Sequence, residues 1–268
     1  MSISETIAAA RKIVVKIGSA TLSKPDGTIN IAFMENFAAQ CAAMNKAGKQ
    51  LALVSSGAQV AGISTLHRWA RKTDMNYRQA LCAIGQVELM NEWSGAFRSC
   101  GLHIGQLLFT KEDFSDSRRA LNMRNTLFTL ADEGVIPVIN ENDSVACDEI
   151  RIGDNDNLSA LTAVLWNADV LILFSDIDGV YTDNPKTNSE AKLIEMVDDI
   201  ADLKKGITIG GANGFGTGGI ATKIEAAEKA RAYGIPMILA NGGSPEALDA
   251  LASGKLRGTL FLPPRQAE

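Results

Sequence analysis

The sequence predicts an α/β protein, a three-layer αβα sandwich around a mostly parallel central sheet. Three observations predict it. Short apolar runs rich in β-branched residues recur along the chain, helix-like segments separate them, and each run ends in a small, polar or glycine-rich stretch. With 268 residues, 46% of them apolar and 21% charged, the chain is long enough to seal both faces of such a sheet.

The predicted strands are Ile13 to Ile17, Leu51 to Val54, His103 to Phe109, Val135 to Ile139, Val170 to Phe174 and Pro236 to Ala240, all read as buried on both faces. Helices are expected over Ile31 to Ala47, Arg78 to Arg98, Ser117 to Glu133, Leu158 to Asn167 and Ala221 to Tyr233. Lys204 to Gly219 holds seven of the 24 glycines and reads as a mobile or ligand-shaped loop rather than a domain boundary. One domain is expected over residues 1–262, its N-terminal and C-terminal halves dividing the work, with a frayed tail at 263–268. The helix from Arg78 to Arg98 carries Met90 and Trp93, which read as core, with a contact surface as the alternative.

Composition removes several classes of function. Twenty-six basic against 31 acidic residues give a formal charge of −5, opposite to the basic face of a nucleic-acid or anionic-membrane binder. The short apolar run near the start is interrupted by Lys16, and no stretch reaches the ~18 apolar residues of a membrane span, so a soluble, unprocessed chain is expected, with cysteine usage pointing to the cytoplasm. Cys41, Cys82, Cys100 and Cys147 form no Cys-x-x-Cys pair and read as small buried hydrophobes in a reducing compartment, with Cys147, near a polar cluster, the one that also admits a functional reading. His67 and His103 belong to no catalytic pattern, and a packing role is expected for His103. No metal-ligating set emerges.

In parallel sheets ligands bind beyond the carboxyl ends of the strands, which directs attention to Gly18-Ser19, Ser55-Ser56-Gly57, Asn140-Glu141-Asn142-Asp143, Ser175-Asp176 and Asn241-Gly242-Gly243. Lys16 is a charge inside the apolar first strand, so its ammonium is expected to reach the strand end rather than stay in the core. The loop Gly214-Phe215-Gly216-Thr217-Gly218-Gly219 runs into a helix on which Glu225 and Lys229 pair at i,i+4 spacing. Amide groups at such a helix start favour an anion, and Lys223, a cation near a helix N-terminus, makes more sense with a phosphate between them. The Gly-x-Gly-x-x-Gly pattern there lacks the acidic residue of a dinucleotide fold, and no Walker-type phosphate loop is present. From Asn140 to Asn157 the chain is dense in amides and carboxylates, of which Asp156 or Asn157 would cap the helix expected from Leu158.

Taken together, Lys16-Ile-Gly-Ser, Ser-Ser56-Gly-Ala, Ile-Gly-Gln86, Asn140-Glu-Asn-Asp143, Gly-Asp154-Asn155-Asp156-Asn-Leu-Ser-Ala and Gly-Thr217-Gly-Gly-Ile-Ala-Thr-Lys223 resemble the amino-acid kinase family over nearly the whole chain. The Asn-Glu-Asn-Asp and Gly-Asp-Asn-Asp-Asn segments are similar to its glutamate-phosphorylating branch in particular. The resemblance implies transfer of the ATP γ-phosphoryl group to the side-chain carboxylate of L-glutamate, the first step of proline synthesis, with Mg²⁺. It assigns Lys16, Ser175, Asp176, Thr217, Gly218, Gly219, Ile220, Ala221, Thr222 and Lys223 to the nucleotide side, and Ser56, Asp143 and Asn155 to glutamate. Asp143 suits the substrate ammonium, while the Ser56 hydroxyl and Asn155 amide suit its carboxylates. Asp156, a carboxylate that would repel phosphate, is expected to orient the two catalytic lysines, Lys16 and Lys223.

A carboxylate acceptor with a pKa of ~4.3 needs no general base, which fits the lack of a catalytic histidine. Many members of the family carry a C-terminal PUA domain, and the expectation here is the short form without one. Feedback inhibition by proline and homo-oligomerisation are further implications. The rival readings are a kinase of the same family acting on another acceptor, a non-catalytic sensor, and, resting on glycine spacing alone, an NAD-linked oxidoreductase.

Overall fold

In the computed structural model, residues 1–67, 71, 73–146, 155–185, 187–207 and 219–264 are described. Cys147, Asp154, Thr217 and Gly218 lie outside them, as does most of the glycine-rich loop.

Six parallel strands form the body of the sheet: β1 (Lys12–Ile17), β2 (Gln50–Ser55), β3 (Ile104–Phe109), β4 (Ile136–Glu141), β5 (Val170–Ser175) and β9 (Met237–Asn241). Their spatial order is β3-β4-β2-β1-β5-β9. β10 (Gly258–Phe261) adds antiparallel to β9, and β8 (Met196–Val197) pairs parallel with β10 at the edge. β6 (Val180–Tyr181) and β7 (Leu193–Ile194) make a separate antiparallel ribbon. The order predicted from sequence length and alternation alone contains neither this ribbon nor β8 and β10, whose runs of two to four residues are too short to carry a periodic signal.

Side-chain alternation divides the core in two. Ile13, Val15 and Ile17 face one way, with Leu51, Leu53, Val138, Ile172 and Phe174, and are covered by α3 (Ile31–Lys46) and α5 (Met75–Ser99). Val14 faces the other way with Ala52, Val54, Leu171 and Leu173, under α8 (Asn155–Trp166) and α10 (Gly219–Ala232). Helices thus cover both faces, and the αβα sandwich is the fold observed. Trp93 is fully buried between Phe37 and Phe97, so the core reading of α5 holds at that position.

Three expectations are corrected. β3 is an edge strand and only partly buried, because no neighbour covers its outer side. His103 precedes that strand and is exposed rather than packed; only its backbone carbonyl is engaged, by Ile136 N–H at 2.9 Å. Lys204 to Gly206 are helical, closing α9 (Ile200–Gly206), and Gly219 already belongs to α10, so the segment between is shorter than glycine content suggested.

Between β2 and α5 lies α4 (Ala58–Leu66), entered through Gly57 at φ +106°, a left-handed conformation that favours glycine. α4 and α5 cross with their backbones in direct contact. A Cβ on Gly85 would stand 1.8 Å from Ala58 O, and one on Gly62 would stand 2.0 Å from Leu81 O. This crossing sets the position of the Ser56-Gly57 turn at the end of β2. Among the described residues, no helix is long and apolar enough to cross a membrane.

Candidate active site

The sequence order of the strands reverses between β1 and β5, with β2 on one side and β9 on the other, and crevices form at the carboxyl ends of strands at such a point. Lys16 lies on β1 in register with Val54 and Leu173, on the face that α8 and α10 cover. Its side chain cannot reach water through that layer, so it runs to the strand end. There Lys16 Nζ meets Asp156 Oδ1 at 2.6 Å, and Lys223 Nζ meets Asp156 Oδ2 at 3.0 Å. All three side chains are buried, at 8%, 3% and 9% exposure for Lys16, Asp156 and Lys223. Thr222 Oγ1 donates to Asp156 Oδ2 (2.9 Å), and Lys223 Nζ also donates to Gly219 O (3.0 Å).

Burial alone would push the Asp156 carboxyl up, but the two ammonium groups outweigh it and hold the group below the ordinary carboxylate range. The anion is therefore the resident form. It sits in the first turn of α8, where a negative charge also opposes the helix dipole favourably. α8 begins at Asn155 among the described residues, so Asp156 and Asn157 belong to its first turn instead of capping it. Asn157 joins α8 to α10 by donating to Glu225 Oε2 (3.3 Å) and accepting from Lys229. Glu225 and Lys229 thus meet through Asn157 and not as the direct i,i+4 pair expected.

A second polar group adjoins the first through Asn155. Asn155 Nδ2 donates to Ser56 Oγ (2.8 Å) and to Asn140 Oδ1 (3.0 Å), and Asn140 Nδ2 donates to Gln86 Oε1 (2.8 Å). Asn140 and Glu141 are the last residues of β4 and are buried, not part of the loop beyond it. Asp143 lies past that end, its carbonyl accepting from Gln79 Nε2 at 3.0 Å and its side chain bonded by the Cys82 thiol. Burial, and then the Asp143 anion, raises the Cys82 pKa, which keeps the thiol protonated. From sequence, Gln86 and Asn140 are only members of the motifs, Cys82 reads only as a small buried hydrophobe, and Gln79 is not singled out. The available signal was the i, i+3, i+7 spacing of Gln79, Cys82 and Gln86, which sets one polar stripe on an otherwise packed helix.

Ser175 and Asp176 stand at the end of β5, where Ser175 Oγ donates to Asp176 Oδ1 (3.1 Å) and Ser175 O accepts from Gly242 N–H (2.8 Å). Ile220, Ala221 and Thr222 lie in the first turn of α10, next to Lys223. The structure therefore brings together Lys16, Asp156, Thr222 and Lys223 in one group, and Ser56, Asn140, Asn155 and Gln86 in another that shares the start of α8. Cys41 and Cys82 are buried and Cys100 is half-buried, all three as free thiols.

A parallel αβα sandwich with two buried lysines converging on one carboxylate at the switch point is a framework for handling an anionic group. The chain belongs to the amino acid kinase family, whose model matches residues 11–241. Within it the chain falls in the glutamate 5-kinase branch. It is 57% identical over 259 residues to the glutamate 5-kinase of Alkaliphilus metalliredigens (strain QYMF), covering 97% of this chain and 98% of that protein. It is also 57% identical over 252 residues to the glutamate 5-kinase of Alkaliphilus oremlandii (strain OhILAs), covering 94% and 96%. Among solved structures, UMP kinase from Ureaplasma parvum superposes with a TM-score of 0.65 at 17% identity, over 94% of this chain and 98% of that one, a likeness of fold.

Proposed function

We propose that the protein transfers the γ-phosphoryl group of ATP to the side-chain carboxylate of L-glutamate, forming L-glutamyl 5-phosphate, the first step of proline biosynthesis. The observation that carries this reading is the buried Lys16–Asp156–Lys223 group, in a chain 57% identical to glutamate 5-kinases along almost its full length. Two anions must approach in line, and the acceptor carboxylate is already ionised, so placement and charge make up the catalysis. Lys16 and Lys223 offset charge on the transferring phosphoryl oxygens. Asp156 is a positioning residue: it holds two ammonium groups in one buried place and leaves each with further donors for a phosphate.

The nucleotide occupies the C-terminal half, against Ser175, Asp176 and the start of α10, with Thr217 and Gly218 carried by the resemblance alone. Both Asp156 oxygens are engaged, and among the described residues no three His, Cys, Asp or Glu side chains gather. Mg²⁺ carried on the nucleotide would be held chiefly by phosphate oxygens and water, the mode this cation favours. When bound, it neutralises phosphate charge.

Glutamate occupies the N-terminal half, against Ser56, Asn155 and Asp143. The amide nitrogen of Asn155 is already donated twice, so its free atom toward the substrate is Oδ1, which suits an ammonium better than the carboxylate expected from sequence. Proline would compete in this pocket, and the free thiols support a reducing, cytoplasmic setting.

The test is trapping of the acyl phosphate with hydroxylamine in the presence of ATP and Mg²⁺, comparing L-glutamate, aspartate and N-acetylglutamate, with and without proline. Glutamate-selective hydroxamate, lost in Lys223→Ala and with an apparent glutamate KM raised by proline, is the expected outcome. Product from another acceptor would overturn the substrate assignment.

A further inference from the structure

Gln86 on α5, Asn140 at the end of β4, Asn155 at the start of α8 and Ser56 in the turn after β2 form one chain, in which donation runs outward from Asn155, to Ser56 on one side and through Asn140 to Gln86 on the other. Asn155 gives Nδ2 to Ser56 and Asn140, while Asn140 uses both ends, accepting at Oδ1 and giving Nδ2 to Gln86. Turning Asn140 or Asn155 would set oxygen against oxygen, and turning Gln86 would set donor against donor, so the chain keeps its polarity as a unit. Two buried atoms are left without a partner among the described residues, Gln86 Nε2 and Asn155 Oδ1. Asn155 is only 9% exposed, and a buried amide atom left unmatched costs stability unless something visits it.

The two atoms are of opposite kinds. Gln86 presents a donor, as does the Ser56 hydroxyl, whose oxygen is already accepting; Asn155 presents an acceptor, as does the carboxylate of Asp143. Two donors and two acceptors by the neighbouring ends of β2 and β4 complement an α-amino acid, which brings carboxylate oxygens and an ammonium side by side. Gln86 lies one helical turn beyond Cys82, which touches Asp143, so the donor and the anion that would meet the two substituents of the α-carbon are carried on or against one face of α5.

From this we propose that Gln86 is a specificity-determining residue that contacts the acceptor substrate, its Nε2 donating to the α-carboxylate, with Asn140 fixing which end of the amide faces the substrate. The assignment rests on the glutamate-phosphorylating reading above. It explains why a glutamine is held in a strip of helix whose neighbours Leu89 and Trp93 are fully buried.

Gln86→Glu isolates the claim. Glutamate at this position still accepts from Asn140 Nδ2, so the chain survives, but the outward group changes from donor to anion and repels a carboxylate. L-Isoglutamine, in which the α-carboxylate is an amide and the reacting carboxylate is intact, is the matched acceptor. The expected result in the hydroxamate assay is a KM for L-glutamate raised about 10- to 100-fold with the KM for ATP unchanged, and a smaller rise for isoglutamine. Gln86→Met, neutral and of similar length, should raise both values less than Gln86→Glu raises that for glutamate, and serves if the charged variant does not fold. A glutamate KM within twofold of wild type in Gln86→Glu overturns the proposal, as does an equal loss on both acceptors, which would mark a structural role. Wild-type protein that makes no glutamate hydroxamate would instead remove the reading on which the assignment rests.

Discussion

Asparagine at position 156 would remove one buried negative charge and leave two buried positive ones. In the native site the carboxylate oxygens stand 2.6 Å from Lys16 Nζ and 3.0 Å from Lys223 Nζ, with every side chain less than a tenth exposed. The asparagine amide offers one acceptor where two were used, and its NH2 group opposes the second ammonium with another donor. Breaking a buried ion pair from one side costs about 3 to 5 kcal/mol, which in a chain of this size lowers Tm by roughly 6 to 20 °C.

The pH dependence follows from the depressed pKa of Asp156. A carboxyl whose folded pKa lies below its unfolded one contributes fully above the ordinary value near ~4 and loses that contribution as pH falls below it. Wild type and Asp156→Asn should therefore differ most at neutral pH and converge in acid. ATP should narrow the gap, because its phosphates return negative charge to the two lysines. Misplaced lysines should also cost about 100-fold in turnover. Scanning calorimetry from acid to neutral pH, with and without nucleotide, together with the hydroxamate rate, checks each part. Melting and turnover equal to wild type at neutral pH would refute the reasoning.

Gly85→Ala places a Cβ 1.8 Å from Ala58 O; forcing α4 off α5 should cost about 2 to 3 kcal/mol and, because α4 follows Ser56 directly, raise the glutamate KM as well as lower Tm. Wild-type melting and glutamate affinity in that variant would show that the crossing relaxes freely. The homo-oligomer implied by family resemblance should give a sedimentation mass of two or more chains, with Val87, Leu121 and Val145, each more than half exposed, as the apolar positions to test by substitution with Asp. A single-chain mass at all concentrations would oppose it.

The parallel body of the fold was legible because its strands are long and buried on both faces, and an uninterrupted apolar run carries that signal without help from periodicity. The same rule misjudged β3, whose run Ile104-Gly-Gln-Leu-Leu-Phe109 is as apolar as the others but has a neighbour on one side only. Edge position is a property of strand order, which apolar content does not record. Lys16 stood out because a charge in a buried run demands a reason, and its partner Asp156 stood out as a carboxylate in a polar cluster. What lay beyond reading was the polarity of the amide chain. Gln86, Asn140, Asn155 and Ser56 are separated by up to 99 positions, and their hydrogen bonds depend on where β2, β4, α5 and α8 end in space.

The two polar groups meet at one place for a physical reason. Asn155 and Asp156 are adjacent in the first turn of α8, and successive side chains on a helix point about 100° apart, so one residue can serve each half of the crevice. Asp156 turns toward β1 and α10, gathering the two lysines, while Asn155 turns toward β2 and β4, gathering the amides. On the function proposed above, a phosphoryl donor at the first set and a carboxylate acceptor at the second would be referenced to the same helical turn. Any shift of α8 moves both sets together, which on that reading would keep donor and acceptor in line where independent loops would let them drift. The bonds of Asn157 to Glu225 and Lys229 then tie that turn to α10, so three consecutive residues, Asn155, Asp156 and Asn157, set the spacing on which the proposed transfer would depend.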